Sequence, residues 1–159
     1  EQLAYRAESG PWRDIYLTGA QELRNGSLTL ESTSRPRPEL VTGMDLQQAF
    51  DLIAASLDGP AAVAVGPLAV NWHITDQDTA VRIELSNGTM HSVPDRTYPT
   101  PDVMVRGNRA AIERMIAEGA TIDALLDDGS LVAEGNVNGL RSLFACVTPF
   151  PRFYNIIEP

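Results

Sequence analysis

The sequence contains no lysine. All 12 of its basic residues are arginine, set against 21 Asp and Glu, for a formal net charge of −9. An acidic surface repels nucleic acid and anionic lipid alike, since both are bound by neutralising phosphates. No arginine run or basic stripe with interleaved aromatics offsets this, and nucleic-acid binding is not expected. Cysteine is nearly absent as well. Cys146 stands alone, which excludes an internal disulfide. Its setting in Leu143-Phe144-Ala145-Cys146-Val147 reads as a small buried thiol, with no neighbouring base to activate it. Long apolar runs are missing too. The richest stretch, 60–70, is broken by Gly66 and Pro67 and falls short of the ~18 residues a membrane span requires.

Histidine is scarce. His73 and His91 are 18 positions apart, and neither lies in a His-x-His or His-Glu-x-x-His spacing. Zinc hydrolases gather several imidazoles and an acid around the metal, so no metal site is expected in this chain. Each histidine reads as a solvated or hydrogen-bonded surface residue. Asp76 and Asp78 open like a calcium loop, but Thr79-Ala80 do not continue it, and they read as turn formers. Asp127-Asp128 read the same way. Gly129, Gly135 and Gly139 do not form a dinucleotide-binding loop, and Ser56 and Ser142 lack the turn that exposes a nucleophile. No catalytic residue is expected here, and the chain by itself is not expected to be an enzyme.

What the chain does have is periodicity. With 159 residues, 43% hydrophobic and 21% charged, it has the make-up of one globular domain, with room for part of a second. Residues 1–8 and 12–24 read as two helices separated by Ser9-Gly10-Pro11 and ended by Asn25-Gly26. Trp12, Ile15, Tyr16, Gly19, Ala20 and Leu23 share one helical face that needs a partner surface. Residues 27–41, with Ser32-Thr33-Ser34-Arg35-Pro36-Arg37-Pro38, read as a linker. Beyond it, Thr42 is the expected cap of a helix bearing Leu46, Ala49, Phe50, Ile53 and Leu57, ended by Asp58-Gly59-Pro60.

Strands follow. Leu68, Val70, Trp72 and Ile74 alternate with polar positions, as do Val81, Ile83 and Leu85, and Asn87-Gly88 is a type I′ hairpin signal. Val103 and Val105 mark a fourth strand. A helix from Asn108 to Gly119 follows, carrying Ile112, Met115 and Ile116, and Thr121 opens a short helical turn. The fifth strand spans Ser130 to Glu134, and a last helix runs from Val137 to about Val147. The order predicts an α+β domain over 42–159, a mainly antiparallel sheet of about five strands covered by helices.

Two stretches carry a family likeness. The string Trp-Arg-Asp-Ile-Tyr-Leu-Thr-Gly-Ala-Gln-Glu-Leu-Arg-Asn-Gly at 12–26 resembles the end of the dimerisation domain in alkyl sulfatases of the metallo-β-lactamase superfamily. From Met44 onward, the element order and the run Leu126 to Asn136 resemble the sterol-carrier-protein-like module that follows in that family. Gly129, Gly135 and Asn136 fall on its glycine pattern, with Asn for the commoner Asp.

The resemblance implies that residues 1–26 close a dimerisation domain, and that a catalytic domain holding two zinc ions lies upstream. It also implies that the C-terminal module receives a hydrophobic chain, such as that of an alkyl sulfate or a fatty compound. Homodimerisation through the N-terminal helices is implied too. The chain opens on Glu1 without a methionine, so any signal peptide would lie upstream. The candidate cavity residues are Phe50, Ile53, Leu57, Trp72, Ile74, Met115, Ile116, Phe144, Phe150 and Phe153. Such residues either line a tunnel or fill a core. The alternatives to a ligand site are a structural, dimer-bracing domain with a filled interior and a stand-alone lipid or sterol carrier.

Overall fold

A computed structural model describes residues 1–26, 35–149 and 156–157. The chain divides into two compact units, Glu1–Ser34 with Phe150–Pro159, and Arg35–Pro149.

In the first unit, α1 (Gln2–Arg6) and α2 (Gly10–Asn25) are separated at Ser9, and Pro11 occupies the first turn of α2, where its missing N–H costs nothing. Gly26 stops α2 with φ 77°, a conformation that favours glycine. Glu1 and Arg24 form an ion pair that fastens the start of α1 to the end of α2. The Glu22 carboxylate accepts the backbone N–H groups of Ile156 and Ile157 at 2.9 and 3.0 Å. Gly19 leaves room for the Ile157 side chain beside the helix. Most of the expected face stays in solvent: Trp12 is 63% and Leu23 68% exposed.

The first element of the second unit is α3 (Pro38–Thr42), a short helix overlapping the end of the stretch read as linker, whose Val41 is fully buried. Next comes α4 (Leu46–Ala55). Its cap is Asp45, not Thr42: the Asp45 carboxylate accepts the Gln48 N–H at 2.8 Å, and the Gln48 side chain accepts the Asp45 N–H at 3.0 Å. That reciprocal pair satisfies two otherwise orphaned donors. Thr42 instead hydrogen-bonds back to the Pro38 carbonyl.

A helix not expected from the sequence, α5 (Gly59–Val65), follows. Asp58 caps it by accepting the Ala61 N–H, and Pro60 lies in its first turn. Asp58-Gly59-Pro60 therefore starts a helix as well as ending the previous segment.

Five strands form one sheet in the order β3-β2-β1-β4-β5: β1 (Leu68–Ile74), β2 (Thr79–Ser86), β3 (Thr89–Pro94), β4 (Val103–Gly107) and β5 (Leu131–Gly135). Pairing is antiparallel except between β1 and β4, which run parallel with Val70 opposite Val103 and Trp72 opposite Val105. Asn87 and Gly88, with φ 51° and 73°, make the expected type I′ turn between β2 and β3.

Asn108 caps α6 (Arg109–Glu113) by accepting the Ala111 N–H, and the helix widens into a π turn over Arg114–Glu118 before left-handed Gly119 ends it. The sequence pattern showed the helix but not the widening. Thr121 caps α7 (Ile122–Asp127) and Asn136 caps α8 (Val137–Ala145).

Helices bury one face of the sheet. Leu68, Val70, Trp72 and Ile74 of β1, Val81, Ile83 and Leu85 of β2, and Val103 and Val105 of β4 meet Phe50 and Ile53 of α4, Ile112 of α6, Leu125 of α7, and Leu140 and Leu143 of α8 in one core. The alternation read from the strands is the pleat that directs these residues inward. No helix among the described residues is long and apolar enough to cross a membrane.

Candidate functional site

The centre of the sheet–helix interior is aromatic. Trp72 lies mid-strand on β1, the central strand of the sheet, between Val81 of β2 and Val105 of β4. Phe50 of α4 and Phe144 of α8 meet its ring edge to face, with centroids 5.6 and 5.7 Å away and planes inclined by 65° and 66°. Such offset edge contacts add to the area the rings bury.

The two helices that supply these rings are brought together where their C-terminal ends meet. Leu57 and Val147 form an isolated antiparallel bridge, with Asp58 donating to the Cys146 carbonyl at 2.8 Å and Thr148 to the Ser56 carbonyl at 2.9 Å. Cys146 is buried there and its thiol donates to the Ser142 carbonyl at 3.2 Å. Burial, with Asp58 adding, pushes the thiol pKa above its ordinary value, which makes it an inert packing residue.

The sequence-derived candidates fall into three groups. Phe50, buried, and Phe144, partly buried, each touch Trp72, while Ile53, Ile74 and Ile116 are buried in the same core. Leu57 and Met115 are partly buried against it. Phe150 and Phe153 lie outside the described residues. Among the described residues, Trp72 Nε1 is the one buried side-chain nitrogen or oxygen without a hydrogen-bond partner.

The other face of the sheet is polar but partly covered. Asn71 is 3% exposed because the loop before β4 crosses it: its amide donates to the Tyr98 carbonyl at 2.9 Å and accepts the Tyr98 N–H at 2.8 Å. The Tyr98 hydroxyl donates to Glu84 at 2.7 Å and its ring lies beneath the Arg82 guanidinium, 5.1 Å from the centroid. Alternation alone placed Asn71 on the polar face and gave no sign of this cover. His73 is on this face, with Nε2 3.6 Å from an Asp78 oxygen, and His91 is exposed.

A surface cleft of about 700 Å³ opens beside α4, with Met44, Asp45, Gln47, Gln77, Arg109 and Glu113 in its wall. Sequence reasoning passed over Arg109, which carries no motif. It is 8% exposed, its Nη2 donates to the Val41 and Met44 carbonyls at 3.0 and 2.9 Å, and its Nε donates to Glu113 at 3.2 Å. Those bonds tie the turn between α3 and α4 to α6 and engage the arginine structurally. Among the described residues no group of three or more His, Cys, Asp or Glu is placed to hold a metal ion. The polar atom left unpaired, Trp72 Nε1, thus sits among apolar side chains of the core.

The sequence and the fold have counterparts among known proteins. Residues 32–159 match the family model described as alkyl sulfatase C-terminal. The whole chain is 35% identical to the linear primary-alkylsulfatase of a Pseudomonas species, covering 23% of it, and 30% identical to a Pseudomonas (R)-specific secondary-alkylsulfatase, covering 24%. The chain thus spans about a quarter of the length of these relatives.

The structure of the inverting sec-alkylsulfatase Pisa1 from Pseudomonas sp. superposes with a TM-score of 0.77 at 28% identity, over 99% of this chain and 24% of that one. A UbiJ-SCP2 ubiquinone synthesis protein shares the fold alone, with a TM-score of 0.52 at 11% identity over 69% of this chain and 94% of that one. The sheet of five strands and its helices are a sterol-carrier-protein-like α+β fold, and the chain belongs to the alkyl sulfatase C-terminal family.

Proposed function

We propose that the Arg35–Pro149 unit is a non-catalytic module that receives the aliphatic chain of a long-chain sulfate ester for a hydrolase of the alkyl sulfatase type. The observation that carries this reading is the aromatic centre formed by Phe50, Trp72 and Phe144 inside a sterol-carrier-like fold. The relatives named as alkylsulfatases supply the substrate class. The hydrolytic centre, with its two zinc ions, would belong to the part of such an enzyme that this chain does not cover. No residue described here is assigned to bond cleavage.

The test is a homologous series of alkyl ligands titrated against the chain, followed by calorimetry and by Trp72 emission. Each added methylene should tighten binding by close to fourfold, from about 0.8 kcal/mol per buried CH₂. A flat series overturns the reading.

A second reading has its own observation. Trp12, Ile15 and Leu23 of α2 lie half or more in solvent, and an apolar helix face of this kind is ordinarily covered. In that reading the chain braces a homodimer through α2. Changing Trp12 or Leu23 to Asp should then weaken self-association in sedimentation without altering alkyl binding.

A further inference from the structure

The unpaired indole of Trp72 narrows the ligand class. Among the described residues its Nε1 is the one buried side-chain polar atom without a partner, inside a fold that otherwise satisfies such groups. Native proteins leave few buried donors unpaired, because each forfeits its hydration.

The two other buried polar or charged residues among those described are engaged elsewhere. Asn71 is bonded to the Tyr98 backbone on the opposite sheet face, and Arg109 to Val41, Met44 and Glu113. Trp72 is met instead by the rings of Phe50 and Phe144. An indole N–H only donates, so its complement is an acceptor. A sulfate or carboxylate drawn in beside it would lose its hydration for a single neutral donor, and a buried anion requires a cation, whereas Arg109, the one buried cation among the described residues, is bonded elsewhere. An uncharged oxygen carries no such penalty.

We propose, resting on the reading above, that Trp72 Nε1 donates to the neutral oxygen of a long-chain compound, a primary or secondary alcohol in the first instance. Hydrolysis of a sulfate ester consumes water and yields hydrogen sulfate and that alcohol. The module then holds the uncharged product end of the reaction more tightly than the charged ester.

Three ligands of equal chain length separate the possibilities: 1-decanol, 1-chlorodecane and decyl sulfate below its micelle concentration. They are titrated against the chain and against Trp72→Phe. With the wild-type residue, decanol should bind roughly fivefold tighter than chlorodecane, the worth of one net hydrogen bond, and tighter than decyl sulfate. In Trp72→Phe the decanol advantage over chlorodecane should vanish. That ratio is internal to each protein and does not depend on overall core looseness.

If Trp72→Phe does not fold, the indole Nε1–H resonance of the unaltered chain, assigned with Trp12→Phe, is the second readout. Decanol should shift it downfield, and chlorodecane should leave it in place. Equal binding of decanol and chlorodecane, tightest binding of decyl sulfate, or an indole resonance indifferent to decanol overturns the assignment while leaving chain binding intact. The last result would mean that a ring face or a water serves the N–H. Absence of binding by all three ligands overturns the underlying reading instead.

Discussion

The carbonyl oxygen of Asp102 occupies the space that a side chain on Gly135 would need. Gly135 has φ 95°, and the N–H of the next residue, Asn136, donates to that same carbonyl at 2.8 Å. The Asp102 side chain accepts the Ala69 N–H at 2.8 Å. One residue thereby ties β1 to the junction of β5 and α8.

Gly135→Ala meets both a backbone overlap and an unfavourable φ. It should cost at least about 2 kcal/mol, since strain at such a position adds to displacement of the neighbouring strand end. Urea unfolding measures it, and a cost within error of zero would show that the junction gives way freely.

The start of α4 offers a paired comparison. Asp45→Ala removes the capping box and should lower stability by about 1 kcal/mol. Thr42→Ala removes only a hydroxyl bonded to the Pro38 carbonyl and should change it by a few tenths, in line with surface substitutions generally. Equal losses in thermal melts would contradict the placement of the cap.

Asn71→Ala leaves the Tyr98 N–H and carbonyl without their partner beneath the loop. A loss of about 1–3 kcal/mol is expected, the range for stranded buried groups. Hydrogen exchange should also accelerate at the Tyr98 amide before it does in the strands.

Asp128 gives the fold an acid dependence. The Ser130 hydroxyl foremost, then the Ser130 N–H donating to its carboxylate at 2.9 Å and the pairing with Arg114 at 2.8 Å, hold its pKa at about 2, below the ordinary 3.8. A lowered folded value stabilises the protein above the unfolded pKa and loses that contribution as pH falls from near 4 towards 2. Asp128→Asn should therefore be less stable than the parent at pH 6, and the two denaturation midpoints should converge near pH 2. The gap should narrow in high salt, because the pair is exposed.

Much of this was legible in the chain, for identifiable reasons. Wherever one element decides its own burial, periodicity was enough: Ala49, Phe50 and Ile53 on α4, the inward residues of β1 and β2, and the Asn87-Gly88 turn. Local chemistry misled where two meanings share one string. Asp58-Gly59-Pro60 ends one segment and caps the next, and Thr42 and Asp45 are both good caps that only packing distinguishes. Tertiary facts left no local trace. The parallel register of Trp72 with Val105, the loop over Asn71, and Arg109 beneath the α3–α4 turn each depend on residues far away in sequence. The candidate site divides the same way. The inward places of Phe50, Ile53, Trp72 and Ile74 were nameable from their spacing, but the edge contacts of Trp72 with Phe50 and Phe144 and the unpaired indole N–H were not.

The central place of β1 also sets an order of assembly. Val70 meets Ile83 across a separation of 13 residues and Val103 across 33. Closing the longer loop costs about 0.8 kcal/mol more in chain entropy and joins strands that no tight turn can connect. The β1–β2–β3 meander is therefore the early partner, and β4 completes the sheet afterwards. In stopped-flow refolding of Trp12→Phe, the emission of Trp72 should shift in step with this later closure. The residue at the heart of the interior is among the last to lose contact with water.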